Sequence, residues 1–240
     1  MDVRRTGRIF GWFFIGTFVT SIPARLLFVS GLGASFSNVR FIPGAATDTT
    51  SLKVGAILEF LLIVTNIATA VVIYPLVRRQ SETVSLGYLI ARVMESVFIA
   101  IGLMSMISVV NVIDTLERAS GVNAVAFVAE GRSLVHTYEW AFLFGPGLVV
   151  GFGNGLMLGY LMYRSQLVPR RMAMLGLIGG PLLILSFVLQ LFDVSKQGSS
   201  VTNLLALPEI AWELSLGVYC AWKGFRNSSP LAQPRLATTG

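Results

Sequence analysis

Residues 54–79 read VGAILEFLLIVTNIATAVVIYPLVRR. From Val54 to Val77 this run holds one carboxylate, Glu59, and one carboxamide, Asn66, before it closes on Arg78 and Arg79. A helix rises about 1.5 Å per residue, so such a block is long enough for the roughly 30 Å hydrocarbon core of a bilayer. Five further blocks of the same kind lie on either side of it, at about 8–30, 84–111, 134–163, 172–192 and 203–222. The composition agrees: 54% of the 240 residues are hydrophobic and 12% are charged, about half the charged share of a soluble domain. A surface so poor in charge has to face lipid.

The connecting stretches sort by charge. Arg4, Arg5, Arg8, Arg78, Arg79, Arg164, Arg170, Arg171, Lys223, Arg226 and Arg235 fall on one side of the six blocks. Arg40, Lys53, Arg118, Arg132 and Lys196 fall on the other, among Asp48, Asp114, Glu117, Glu130 and Asp193. Basic residues stay in the cytoplasm, so both termini are expected there, and an even number of spans satisfies that condition. The net charge of +6 is therefore read as topology, with no nucleic-acid partner. Trp12 and Trp222 fall near the expected cytoplasmic ends of the first and last blocks, where an amphipathic ring favours the interface. The first block continues past Pro23 to Val29 without a good cleavage site, which predicts an uncleaved anchor instead of a signal peptide.

The expected fold is all-α: a six-helix transmembrane bundle with both termini cytoplasmic, one integral membrane domain over residues 1–226, and a disordered tail over 227–240. The location is the inner or plasma membrane. The fourth block would be about 45 Å long, and Gly145-Pro146-Gly147 inside it should kink or interrupt the helix. The stretches at about 31–53 and 112–133 are expected to be water-soluble outer loops.

Seven formally charged residues fall inside the blocks: Arg25, Glu59, Arg92, Glu95, Glu139, Glu209 and Glu213, with His136 near the outer end of the fourth. Each would cost about 2.5–3.5 kcal/mol facing lipid at mid-bilayer, on the order of 20 kcal/mol together, so they must face one another, water or a ligand. Arg92 and Glu95, His136 and Glu139, and Glu209 and Glu213 share helix faces by their spacing. By depth, Arg25, Glu59, His136, Glu139 and Glu209 are expected in the outer half, with Glu95 and Glu213 nearer the midplane. Five glutamates against two arginines leave three carboxylates without a fixed cationic partner. An interior polar site is the expected consequence, with Arg25, Glu59, Arg92, Glu95, His136, Glu139, Asn154, Glu209 and Glu213 as ligand- or proton-binding candidates.

Other chemistry is poorly served. GFGNG at 151–155 follows no strand and lacks a lysine, so it is no nucleotide loop; Gly151, Gly155 and Gly159, four apart, suit close helix packing. One histidine and one cysteine, His136 and Cys220, argue against zinc hydrolysis, bis-histidine haem and disulfides. No catalytic residue, metal or cofactor is expected.

The segments GWFFIGTFVTSIPARLL, GAILEFLLIVTNIATAVV, ARVMES, FGPGLVVGFGNGLMLGYLMYRSQLVPRRMA and LPEIAWELSLGVY resemble the bacterial multi-pass membrane proteins grouped as domain of unknown function 4386. The resemblance runs from about residue 8 to 226 and implies an integral membrane protein; it carries over no site residues. Three functional readings are compatible with the residues. The first is an ion- or small-molecule-binding protein or transporter linked to protons. The second is a non-catalytic membrane subunit or sensor whose charge pairs are structural. The third is an intramembrane enzyme acting on lipid. The bilayer is the one partner the sequence defines.

Overall fold

The computed structural model describes residues 2–34, 40–41, 47–116, 118 and 122–233. The chain folds into α1 (Val3–Gly31), α2 (Thr49–Val77), α3 (Glu82–Leu116), α4 (Val122–Phe142), α5 (Gly159–Ser165), α6 (Arg170–Leu191) and α7 (Ser200–Lys223). Between α4 and α5 the helix continues in the wider π register over Leu143–Val149 and Gly151–Leu158. Those four pieces form one uninterrupted apolar helix of 42 residues, Ala124–Ser165. With α1, α2, α3, α6 and α7 it makes six helices long and apolar enough to cross a membrane among the described residues. No strand occurs among the described residues.

Local chemistry starts and stops these helices. The first backbone N–H groups of a helix have no partner inside it. Asp2 supplies one to α1 by accepting from Arg4 N–H at 2.9 Å. Asp48 does the same for α2, accepting from Thr50 N–H at 2.9 Å and from the Ser51 hydroxyl at 2.6 Å. Ser199 caps α7 through Thr202 N–H. At the other end of α7, Gly224 adopts φ +72°, a conformation open to glycine without strain. It ends the helix there, and its N–H donates to the Cys220 carbonyl at 2.8 Å.

The six spans run up and down, each packed on its sequence neighbour, and α7 closes the ring by packing on α1. The termini meet at one end of the bundle, where Arg4 Nε donates to the Lys223 carbonyl at 3.1 Å. Two apolar cores fill the ring. One, at the end carrying the termini, gathers Phe10, Phe14, Ile73, Tyr88, Leu161, Trp212, Leu216 and Phe225. The other, at the far end, gathers Phe28, Leu32, Leu52, Met106, Val109, Ile113 and Tyr138. The buried charges Arg25, Glu59, Arg92 and Glu95 and the buried amides Asn66 and Asn154 fall between these cores along their helices. Outside, Val19, Ile22, Ile57, Phe60, Val71, Met104, Ile178, Leu204 and Val218 stand exposed. Polar residues buried and large apolar residues exposed is the pattern of a lipid-facing bundle.

Acyl chains solvate leucine as well as a protein core does, so apolar burial alone gives such a bundle little cohesion. Close backbone contact replaces it. Gly155 of the π-helical stretch meets Gly180 of α6 backbone to backbone, and a Cβ on either would overlap the other residue. The stretch expected to provide small-residue packing does so.

Two expectations are corrected and one is met in part: Gly145-Pro146-Gly147 interrupts the α-helical register of the fourth span without ending the helix. Pro146 has no N–H to donate, and the chain accommodates it by widening to i→i+5 bonds, as in Val150 N–H to the Gly145 carbonyl. The region 112–133 is not a loop for most of its length, because α3 runs to Leu116 and α4 starts at Val122. The tail, expected to be disordered from residue 227, is held as far as Gln233. Ser229 Oγ donates to the Ser165 carbonyl at 2.6 Å, and Arg79 donates to the carbonyls of Leu231 and Gln233 at 2.9 and 3.2 Å. Residues 234–240 lie outside the described residues.

Candidate functional site

Helix α3 brings Arg92 and Glu95 to one face, three residues apart, and both are buried. Arg92 Nη1 donates to Glu95 Oε2 at 2.6 Å, and Nη2 donates to Asn66 Oδ1 of α2 at 2.5 Å. Asn66 Nδ2 completes the circuit by donating to Glu95 Oε1 at 3.0 Å. The amide of Asn66 thus serves both ends of the ion pair, and α2 is joined to α3 through it. The Phe14 ring of α1 lies 5.7 Å from the guanidinium.

On the opposite wall, α7 grips the π-helical stretch at one residue. Trp212 Nε1 donates to the Asn154 carbonyl at 3.0 Å, and Asn154 Nδ2 donates to Glu213 Oε1. Asn154 Oδ1 has no hydrogen-bond partner among the described residues. Glu213 lies within electrostatic reach of Arg92, so the two walls face each other across the middle of the bundle. One turn earlier on α7, Glu209 is 1% exposed. Its carboxyl is wedged against Gly155 and Gly179, and neither oxygen has a hydrogen-bond partner among the described residues.

A second polar group sits nearer the far end. Arg25 Nη1 of α1 meets Glu139 Oε1 of α4 at 3.2 Å, and its guanidinium lies 4.5 Å from the Phe142 ring centroid. Tyr138 donates its hydroxyl to Glu59 Oε1 of α2 at 3.3 Å. Glu59 Oε2 has no hydrogen-bond partner among the described residues. On α2 the two polar layers are represented by Glu59 and Asn66, about 10 Å apart along the axis.

The charged residues are therefore divided between two layers. Arg25, Glu59 and Glu139 come together in the far layer; Arg92, Glu95, Asn154, Glu209 and Glu213 come together in the middle one. His136, exposed and one turn before Glu139, stands at the rim of the far layer within electrostatic reach of that carboxylate. Glu209, expected in the outer half, packs on the edge of the middle layer, against Gly155 and Gly179. Helix α7 starts at Ser200, so Glu209 is about 14 Å in from that end, level with the glycine beside Asn154. The acid excess read from the sequence persists. Arg25 pairs with Glu139 and Arg92 with Glu95, while Glu59, Glu209 and Glu213 have no arginine in ion-pair contact among the described residues.

Sequence reasoning named neither Tyr138 nor Trp212 and treated Asn66 only as a polar neighbour of Glu59. Asn66 had a signal, as the one carboxamide in α2's apolar run. Tyr138 and Trp212 had none, because aromatic residues in a membrane span read as core or interface. No group of three or more His, Cys, Asp or Glu side chains arranged to hold a metal occurs among the described residues.

Six apolar helices enclosing two buried ionic layers define a multi-pass α-helical membrane protein. Within that class, residues 9–224 match the family described as Domain of unknown function (DUF4386), and the chain belongs to it. Neither a curated protein nor a solved structure matches the chain.

Proposed function

We propose that this protein binds a small molecule or ion within the membrane and moves or senses it in exchange with protons. The observation that carries this reading is the middle layer, where Glu209 and Glu213 face the π-helical stretch with no arginine in ion-pair contact. A carboxylate buried without a cation, as Glu209 is among the described residues, is costly, and intramembrane acids mark ion and proton pathways. The broken helical register beside them supports the same reading, since π-helical segments concentrate at functional sites and transporters build their sites on irregular helices. In this scheme Arg25 offers positive charge to an anionic group entering from the far side, and Glu209 and Glu213 exchange protons. Both termini lie in the cytoplasm, as the eleven basic residues on their side require, and the bundle is a single domain in the plasma membrane.

The test is binding or flux with protein reconstituted into vesicles, using proton gradients and candidate solutes. Glu209→Gln and Glu213→Gln should each abolish the dependence on pH between about 5 and 8, since an amide carries no exchangeable acid proton in that range. Retained pH dependence in both variants would defeat the proton-exchange part. A second reading draws on the closed circuit of Arg92, Glu95 and Asn66, whose hydrogen bonds are nearly all internal. It makes the protein a membrane subunit or sensor whose ionic layers fix helix order, and it predicts that neutral substitutions lower stability or partner capture alone.

A further inference from the structure

We infer that the ion exchanged at Glu209 is the proton itself, and that the site is too closely packed to take a metal cation or an organic amine. The proposed function gives this chemistry its use; the packing around Glu209 is the independent ground for it. The residue is 1% exposed, and both carboxyl oxygens lie beyond the reach of water with no hydrogen-bond partner among the described residues. A Cβ added to Gly155 or Gly179 would lie 2.9 or 2.7 Å from Oε2, so the oxygen rests against backbone methylene groups of two different helices.

Each element packed around the carboxyl presents little that could compensate a charge. Helix α6 presents glycines. The π-helical stretch presents Asn154, whose amide N–H is committed to Glu213 and whose Oδ1 can only accept. Helix α7 itself presents Glu213, a second acid. From α3, Arg92 is bound to Glu95 and Asn66. A metal ion would require a shell of oxygen ligands and an organic ammonium would require space of its own size. A proton requires neither, and it removes the charge that makes a buried carboxylate costly.

Release has a structural condition. Loss of the proton to water converts the acid to a carboxylate, which must then be hydrated. Water reaches it only if α6 separates from the Gly155 side of the fourth span or from α7. Deprotonation and opening of this three-helix joint are one event.

Infrared spectroscopy of the full-length protein in lipid nanodiscs at neutral pH tests the inference without any transport assay. Wild type should show the carbonyl band of a protonated carboxylic acid, shifted in deuterium oxide, and Glu209→Gln should lose one such band. Sodium chloride added at constant pH, against choline chloride, should leave it unchanged. If Glu209→Gln is poorly folded, Glu209→Asp should move the band in frequency. A variant spectrum with the full band in place, or a band removed by sodium, would overturn the inference. A band assigned to Glu209 beside unaltered flux in the variant would reject the transport reading and leave the proton site intact.

Discussion

Arg92 shows how a charge is answered inside this membrane protein, with its Nε left without a hydrogen-bond partner among the described residues. Two of its nitrogens are committed within 2.6 Å, one to an acid on its own helix and one to an amide on the next. Removing one partner of a buried pair strands the other, at a cost of about 3–5 kcal/mol, whereas replacing both by neutral groups is often tolerated. Arg92→Met should therefore unfold the protein readily in detergent titrations, and the double change Arg92→Met with Glu95→Gln should recover most of the loss. Asp48 is the counter-example outside the membrane. The Ser51 hydroxyl and backbone N–H groups of the first turn hold its carboxyl below the ordinary aspartate range. Its folded value is the depressed one, so its capping contribution is present above the ordinary range and disappears as pH falls through the folded value. Hydrogen exchange of the first turn of α2 should speed up only under strong acid, and in Asp48→Ala it should be fast at every pH.

The fourth span is the element on which the middle layer depends. Two π-helical stretches in succession place Asn154 where Trp212 and Glu213 can both reach it, while Gly155 lies against Gly180 of α6. Adding one methyl group there has no flexible side chain to displace, only backbone. Gly180→Ala should thus separate α6 from the fourth span and lower the melting temperature of the purified protein, more than Gly147→Ala, whose Cβ would meet nothing nearer than 3.8 Å. Trp212→Phe removes one hydrogen bond, worth about 1 kcal/mol, and adds the cost of the small cavity left beside Gly176 by the missing ring. Thermal melts of the three variants side by side would reveal whether backbone contact outweighs the side-chain bond.

For the molecule as a whole, the ring closed by α7 on α1 sets a topology that labelling can read. In a Cys220→Ser background, cysteines placed at Asp2 and at Ser195 should lie on opposite sides of the membrane. An impermeant maleimide on intact cells should label the Ser195→Cys protein alone, and the Asp2→Cys protein only after permeabilisation; the reverse pattern would invert the proposed orientation. At the same end as the termini, Arg79→Ala should release residues 230–233 to proteases while leaving the bundle assembled. Nearly all of this architecture was legible from sequence, because an apolar run of twenty or more residues such as 54–77 has few alternatives to a membrane-spanning helix. The acid excess was legible too, since it is a count. The folded segment 227–233 was not, because polar, proline-containing chain gives no sign that Arg79, 152 residues before Leu231, donates to its carbonyls.

The number of spans, their apolar exteriors and the identity of the buried charges followed from composition along the chain, since the cost of placing a residue in lipid depends on that residue and its depth. Which carboxylate meets which arginine, and which is left against glycine, depended on helix rotation and register. One extra residue in a π turn rotates everything after it by about 100°. That rotation exists only in three dimensions, and it brings Asn154 to Glu213 while Glu209 rests against Gly155 and Gly179.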